Sequence, residues 1–266
     1  MKKIFKRICR YVDYKLQITR FSEYYYYMCR PKYLNPLFYM YKNHVRSGIN
    51  FYNNNDLLQQ SIQHCEAINK GFTTSLSKHD YFDICTLLEQ TRPKRVLELG
   101  SGVSTVIIGK FLHKFQIEDG IKRTITSMEQ EKKYLDNTQS MIPNEIIKKV
   151  DLVLSDVKYD NFDDGIISYY TSIPDHLYDF VLIDGPNTTI DILHPHISDI
   201  GDRISRGEKR INYDLVRLLK SGNVDENTTI IVDNRLETCL TIPKIDKRIT
   251  LHRLPWKRTA TFKISK

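Results

Sequence analysis

A short apolar strand, followed at once by a glycine turn and an apolar helix, constrains the fold of this chain most. The run at residues 96–99 is typical of a buried parallel strand, and Gly100 and Gly102 bracket the turn after it. Apolar residues then recur at helical spacing up to Phe115. Strand, glycine turn and helix open a nucleotide-binding α/β unit, because the glycines let the backbone approach a ligand and the helix start offers free N–H groups.

The glycine turn alone does not decide the ligand. A GxG after a strand can also be a plain connection, and Thr105 stands where a dinucleotide fingerprint has its third glycine. Glu98 lies two residues before Gly100, and a carboxylate there can hold an ammonium group rather than a phosphate. The turn therefore weighs against a pyrophosphate site.

The segment from Val96 to Gly102 resembles the first motif of the Rossmann-like, class I methyltransferases that depend on S-adenosylmethionine (SAM). Residues 125–129, 178–185 and 230–234 resemble later motifs of the same family, in the same order. The resemblance covers residues 75–266 and implies SAM as the cofactor, with the glycine loop against its methionine part. The cofactor-binding residues predicted on this basis are Glu98, Gly100, Ser101, Gly102, Thr105, Glu129 and Asp156.

Two positions at strand ends would complete the cofactor site. Glu129 ends the second strand, where a carboxylate can accept both ribose hydroxyls; the alternative is a glutamate that only stabilises the helix dipole. In similar enzymes a polar residue at the place of Ser155 and Asp156 meets the adenine amino group, although Asp156 could equally be a loop carboxylate. The acidic run from Asp160 to Asp164 predicts a solvated loop.

Acidic residues also end the next two predicted strands. Asp184 follows a very apolar strand and faces the edge where open α/β sheets bind ligands, and Asp233 and Asn234 follow the next strand. Two carboxylates and an amide suit Mg²⁺, and catechol O-methyltransferase and its plant caffeoyl relatives look similar here. We predict a metal site at Asp184, Asp233 and Asn234. Alternatively, Asp184 orients substrate or cofactor and the other two cap a turn.

The chain departs from those relatives in two ways. The lysine that follows the first aspartate in them is missing, since Gly185, Pro186 and Asn187 stand there, and an insertion lies around residues 188–210. The insertion contains His194 and His196, either of which could be a general base or a surface residue. Its position suggests a lid over the substrate. The predicted catalytic residues are thus Asp184, His194 and His196.

Strands and helices alternate from Lys94 onward, which predicts a parallel sheet covered on both faces. Helices are expected near 75–91, 103–116, 130–141 and 208–221, and strands at 94–99, 123–129, 150–155, 178–184 and 228–233. Two last strands, 247–254 and 258–265, are joined too closely for a parallel crossover. The predicted fold is therefore α/β: a Rossmann-like parallel sheet with a C-terminal antiparallel hairpin, helices on both faces and an N-terminal helical extension.

The N-terminal part differs in charge from the rest. Residues 1–48 hold 11 Lys and Arg against 2 Asp and Glu, and they are rich in tyrosine. We divide the chain into a basic helical extension, 1–74, and a methyltransferase domain, 75–266. The extension could lie on an anionic membrane or pack against its own domain, whereas no recognised module supports nucleic-acid binding.

Cysteine usage and hydropathy bear on location. The five cysteines are scattered without a CxxC pair, which favours reduced thiols and a cytoplasmic location. No apolar run approaches the roughly 18–20 residues that span a bilayer. Contact with a membrane surface through the basic N-terminus is a further option.

Together these features predict a SAM-dependent methyltransferase that acts on a hydroxyl of a small molecule or glycan, with assistance from Mg²⁺. One alternative is a metal-independent sugar or metabolite methyltransferase with a His or Asp base. The other is a catalytically silent, nucleotide-binding interaction protein. The acceptor and the oligomeric state are not readable from the sequence.

Overall fold

The computed structural model describes residues 46–68, 78–162, 165–186, 209–233, 235–252 and 259–266. Residues 46–53 are helical, and Ile147–Lys149 form a short 3₁₀ turn. The other helices are α1 (Asp56–Ile68), α2 (Lys78–Thr91), α3 (Val103–Asp119), α4 (Lys132–Met141), α5 (Asp214–Ser221) and α6 (Leu236–Ile245). The strands are β1 (Arg95–Leu99), β2 (Thr124–Glu129), β3 (Val150–Leu154), β4 (Val157–Phe162), β5 (Gly165–Tyr170), β6 (Phe180–Ile183), β7 (Lys209–Asn212), β8 (Thr229–Asp233), β9 (Ile249–His252) and β10 (Thr259–Ile264).

Seven strands form the main sheet, in the order β3-β2-β1-β6-β8-β10-β9. The first five of these run parallel to one another, and β10 is antiparallel to both β8 and β9. The predicted Rossmann-like sheet with a C-terminal antiparallel hairpin is confirmed, and the ends of its strands lie within two residues of the predicted ones.

Helices cover both faces of the main sheet, as predicted. On one face α1, α2 and α3 share a core that includes Leu58, Ile84 and Ile107, and on the other α5 and α6 share a core that includes Leu215 and Ile242. Since α1 packs in the same core as α3, the part of the predicted N-terminal extension that the structure describes belongs to the fold. The backbone N–H of Leu58 donates to Asn55 Oδ1 at 2.9 Å, so Asn55 caps α1.

A second, three-stranded sheet in the order β4-β5-β7 corrects two predictions. The acidic run that begins at Asp160 is not a loop up to Phe162, because β4 pairs with β5 in a hairpin. The helix predicted from residue 208 begins at Asp214, because residues 209–212 pair with β5 as a parallel strand. Pairing and the burial of Ile166, Ile167 and Ile211 outweigh the polar character of these segments.

Several predictions fall outside the described residues. They concern the basic segment before residue 46, His194 and His196 in the insertion, and Asn234. Within the described ranges, every helix is too short or too polar to span a lipid bilayer. Cys65 and Cys85 are buried free thiols, and Cys239 is also buried.

Candidate active site

The carboxyl ends of five parallel strands meet at one edge of the main sheet. Leu99 of β1 pairs with Met128 of β2 and with Ile183 of β6, and Ile183 pairs with Val232 of β8. The residue after each of these positions therefore lies at the same edge. The register brings Gly100, Glu129, Asp184 and Asp233 to this edge, where open α/β sheets bind their ligands.

Gly100 forms the sharp turn after β1 and packs on the turn after β6. Its φ is +103°, and a Cβ built on it would lie 2.7 Å from the backbone nitrogen of Gly185. The backbone N–H groups of Asp184 and Gly185 both donate to the carbonyl of Leu99. Gly100 is thus required for the join between two strand ends.

Gly102 has a different role from Gly100. Its φ of 163° is extended, and a Cβ built on it would meet no atom of the described residues within 4 Å. Its N–H donates to Thr105 Oγ1 at 3.0 Å, which fixes the loop at the start of α3. The loop therefore presents an open backbone face at Gly102, and a ligand can approach there as closely as the sequence predicts.

Glu98 lies beneath the glycine loop and is fully buried. Its Oε2 accepts hydrogen bonds from Thr105 Oγ1 at 2.5 Å and from Ser127 Oγ at 2.6 Å, whereas its Oε1 has no hydrogen-bond partner within the described part of the chain. Burial raises the pKa of Glu98 to about 7, against the hydrogen bonds that lower it. A buried carboxylate oxygen left over in this way is suited to a ligand's ammonium group or to an ordered water.

Thr105 stabilises the glycine loop through hydrogen bonds. It is fully buried, and its hydroxyl links Glu98 to the N–H of Gly102. The prediction that Thr105 binds the cofactor is untested. Its position gives it an indirect part, through the shape of the loop.

Glu129 ends β2 beside the glycine loop. Its Oε2 accepts from Ser101 Oγ at 3.0 Å and from Ser101 N at 3.3 Å, and its Oε1 accepts from Gln130 N at 2.8 Å and from Glu131 N at 3.1 Å. Burial raises the pKa of Glu129, and these four hydrogen bonds oppose that shift. Ser101 and Glu129 are thus in contact, and the carboxylate is held in one orientation.

The residues after β3 stand at the far side of the same edge. Ser155 is buried, and its Oγ accepts a hydrogen bond from Ser172 N at 3.2 Å. Asp156 is exposed, and its carbonyl accepts from Thr171 N at 2.8 Å. Ser155 is therefore engaged in the local turn, and Asp156 is the polar side chain with access to solvent.

Asp184 follows β6 and Asp233 ends the neighbouring strand β8, so both lie at the place of the predicted metal site. Asp184 is half-buried, whereas Asp233 is only 3% exposed. Among the described residues, no group of three or more His, Cys, Asp and Glu side chains could hold a metal ion. The predicted site has only two carboxylates, and its third ligand, Asn234, is an amide that lies outside the described residues. The structure therefore does not test this site, and Mg²⁺ here stays a prediction.

Solved structures with the same architecture include methyltransferases. One is an S-adenosylhomocysteine (SAH)-bound methyltransferase, PaMTH1 of Podospora anserina, at 13% identity and a TM-score of 0.52, with 85% of this chain and 96% of that chain covered. Another is a candidate caffeoyl-CoA O-methyltransferase from Staphylococcus aureus, at 10% identity and a TM-score of 0.51, with 84% and 99% covered. No protein-family model and no curated protein matches the sequence.

This chain has the fold of the class I SAM-dependent methyltransferases. At such low identity the likeness concerns the fold, and the roles of the residues rest on their own geometry. In this methyltransferase fold Gly102, Glu129 and Asp184 lie at one edge of the sheet, for which the sequence motifs predict the cofactor and its acceptor.

Four polar residues near this edge of the methyltransferase fold were missed from the sequence. They are Tyr170, Asn212, Asp214 and Arg235, and they lie beside the turn formed by Asp184 and Gly185. An Asn or Asp just before an amphipathic helix is a start signal that could have marked Asn212 and Asp214. Tyr170 and Arg235 carry no such signal, because only tertiary packing brings them to the site.

Proposed function

We propose that the chain is a SAM-dependent methyltransferase that methylates an oxygen atom of a small molecule or glycan. The observation that carries the proposal is the open backbone face at Gly102, which lies next to the buried carboxylates of Glu98 and Glu129. A Cβ would fill that space, and the two carboxylates match the ammonium and ribose groups of SAM in chemical character. Bound SAM supplies a methyl group already activated on a sulfonium sulfur, so the protein's task is alignment.

The proposal assigns each part of SAM to a residue at the sheet edge. Glu129 accepts hydrogen bonds from the ribose hydroxyls, and Ser101 keeps its carboxylate in place. The Oε1 atom of Glu98 takes the ammonium group, and Asp156 meets the adenine amino group. All four residues lie at or next to the carboxyl ends of β1, β2 and β3, at the same edge of the sheet.

Asp184 faces the acceptor in this proposal. It follows β6, next to the cofactor strand β1, and it remains half-buried at the edge of the sheet. A carboxylate in this position can orient an acceptor hydroxyl and take its proton as the methyl group is transferred. We assign the proton transfer to Asp184, because Asp184 is the more accessible carboxylate of the two and Asp233 is almost fully buried.

The experiment has a binding step and a transfer step. Calorimetric titration of the full chain with SAH tests the cofactor site, and we expect binding that Gly102→Val abolishes. Incubation with [methyl-³H]SAM and with extracted metabolites or surface polysaccharides tests the transfer. Binding without transfer to any fraction would support the silent interaction protein instead, and no binding would contradict both readings.

A further inference from the structure

The turn formed by Asp184 and Gly185 is held by hydrogen bonds on both sides. On one side its N–H groups donate to the carbonyl of Leu99 in β1. On the other side its two carbonyls accept hydrogen bonds from side chains that lie outside the main sheet. Asn212 Nδ2 donates to the carbonyl of Gly185 at 2.8 Å, and the guanidinium of Arg235 donates to the carbonyl of Asp184.

The side chain of Asn212 has a single orientation because both of its ends are used. Asn212 is 1% exposed, and its Oδ1 accepts from Asp214 N at 3.0 Å. Its Nδ2 therefore faces the other way, where it also donates to Asp214 Oδ2 at 3.0 Å. The backbone N–H of Asn212 donates to Thr238 Oγ1 at 2.9 Å, which ties β7 to α6. The amide that meets Gly185 is thus fixed on three sides.

Asp214 connects this amide to the rest of the second sheet. Its side chain is fully buried, and its Oδ1 accepts from the backbone N–H of Tyr170 at 3.0 Å. The hydroxyl of Tyr170 lies 2.7 Å from the position that a Cβ on Gly185 would take. Strands β5 and β7 therefore both reach the turn, one by a hydrogen bond and one by close packing.

We propose that Asn212, oriented by Asp214, is a positioning residue for Asp184. It fixes the carbonyl of Gly185 while Arg235 fixes the carbonyl of Asp184, so that the carboxylate of Asp184 points in one direction at the edge of the sheet. The second sheet is then the support of the acceptor side of the site. The part that this plays in methyl transfer rests on the proposed function, whereas the hydrogen-bond geometry does not.

The support is suited to catalysis because alignment sets the rate of a transfer from an activated donor. A reacting group that is displaced by an ångström loses much of the advantage of proximity. On the cofactor side, Glu98, Thr105 and Glu129 hold the glycine loop through hydrogen bonds in which Asn212 takes no part. Loss of Asn212 should therefore disturb Asp184 and leave the cofactor residues in place.

The sequence offers a selective probe of this contact. Gly185 and Pro186 form the one Gly-Pro pair in the chain. In the full chain labelled with [1-¹³C]glycine and [¹⁵N]proline, the carbonyl of Gly185 alone shows the ¹³C–¹⁵N coupling. A second sample with ¹³C in the aspartate carboxyl groups reports on Asp184, whose signal is assigned by its loss in Asp184→Asn.

The test compares two buried asparagines. Asn212→Ala should move the Gly185 carbonyl signal to lower frequency, as expected for a lost hydrogen bond, and should also move the carboxyl signal of Asp184. The control is Asn223→Ala, since Asn223 is buried and donates to the carbonyl of His176 at 2.9 Å, near the opposite end of β6. Asn223→Ala should move neither signal. Asn212→Thr, which suits a strand, replaces Asn212→Ala if the latter does not fold.

The outcomes separate this proposal from the proposed function. An unmoved Gly185 signal in both Asn212 variants overturns the contact, and a moved Gly185 signal with an unmoved Asp184 signal overturns the positioning role. SAH titration of the wild type is run in parallel. If the wild type binds no SAH, the proposed function fails and the role in transfer fails with it, while the two signals still decide whether Asn212 positions Asp184.

Discussion

Gly100 and Gly185 pack backbone against backbone: a Cβ on either residue would lie 2.7 Å from the backbone nitrogen of the other. This contact joins the turn after β1 to the turn after β6. In the proposed function these turns carry the cofactor loop and the acceptor-side carboxylate, respectively. The contact therefore holds the two halves of the site at a fixed separation.

The two glycines of the loop should respond differently to substitution. Gly100→Ala should lower the free energy of unfolding by about 3 kcal/mol, because it adds a Cβ against Gly185 at a positive φ. Gly102→Ala should leave the stability unchanged, because its Cβ meets no atom, yet weaken SAH binding, and Gly102→Val should weaken it further. Chemical denaturation and calorimetry measure the two effects. Equal stability loss in both variants would contradict the assignment of Gly102 to the ligand face.

The affinity for SAH should depend on pH through Glu98. Its pKa is raised to about 7, so the carboxylate is mostly protonated below that pH and cannot pair with an ammonium group. SAH binding should therefore strengthen by about tenfold per pH unit as the pH approaches 7 from below, and level off above it. Glu98→Gln should remove this dependence. A wild-type affinity that stays constant between pH 5.5 and 8 would limit Glu98 to supporting the loop.

Glu129→Ala should weaken SAH binding by about 1–3 kcal/mol, the scale of a lost charged hydrogen bond. Because Glu129 also accepts hydrogen bonds from Ser101, the matched control is Ser101→Ala, which removes the hydroxyl contact and keeps the carboxylate. Calorimetry on both variants should show the larger loss for Glu129→Ala. Near-wild-type affinity in Glu129→Ala would rule out the ribose assignment.

Methyl transfer should persist in excess EDTA, and Asp184→Asn should abolish it while SAH still binds. The reason is that in the proposed function Asp184, the more accessible carboxylate of the two, takes the acceptor's proton itself, a step that requires no metal ion. Transfer of label from [methyl-³H]SAM in the presence of EDTA, then of Mg²⁺, is the measurement. Loss of transfer in EDTA and its return with Mg²⁺ would instead support the metal site at Asp184, Asp233 and Asn234.

The main sheet could be predicted from the sequence because its strands are continuous apolar runs that end in polar residues. The run from Phe180 to Ile183 is fully buried, as its composition indicates. The second sheet was missed because β4 is half polar and exposed, and its strand character depends on pairing with β5. The Asp-Gly dipeptide at 164–165, between two β-prone segments, was the local hairpin signal.

The residues of the candidate site also fall into those that could be predicted from the sequence and those that could not. Glu98, Gly100, Gly102, Glu129 and Asp184 belong to motifs that follow strands, so their meeting at one edge follows from a parallel sheet. Asn212 and Arg235 meet the Asp184 turn through contacts across 27 and 51 residues of sequence, which no local pattern reports. Their hydrogen bonds to the carbonyls of Gly185 and Asp184 can be identified only from the folded structure.

The most direct test of the account is the transfer of tritium from [methyl-³H]SAM to extracted metabolites and surface polysaccharides, with wild-type protein and Gly102→Val side by side. We predict a labelled O-methyl product with the wild type, accompanied by an equal amount of SAH, and neither product with Gly102→Val. Label no greater with the wild type than with Gly102→Val, at a saturating concentration of SAM, would contradict the assignment of this chain as a methyltransferase.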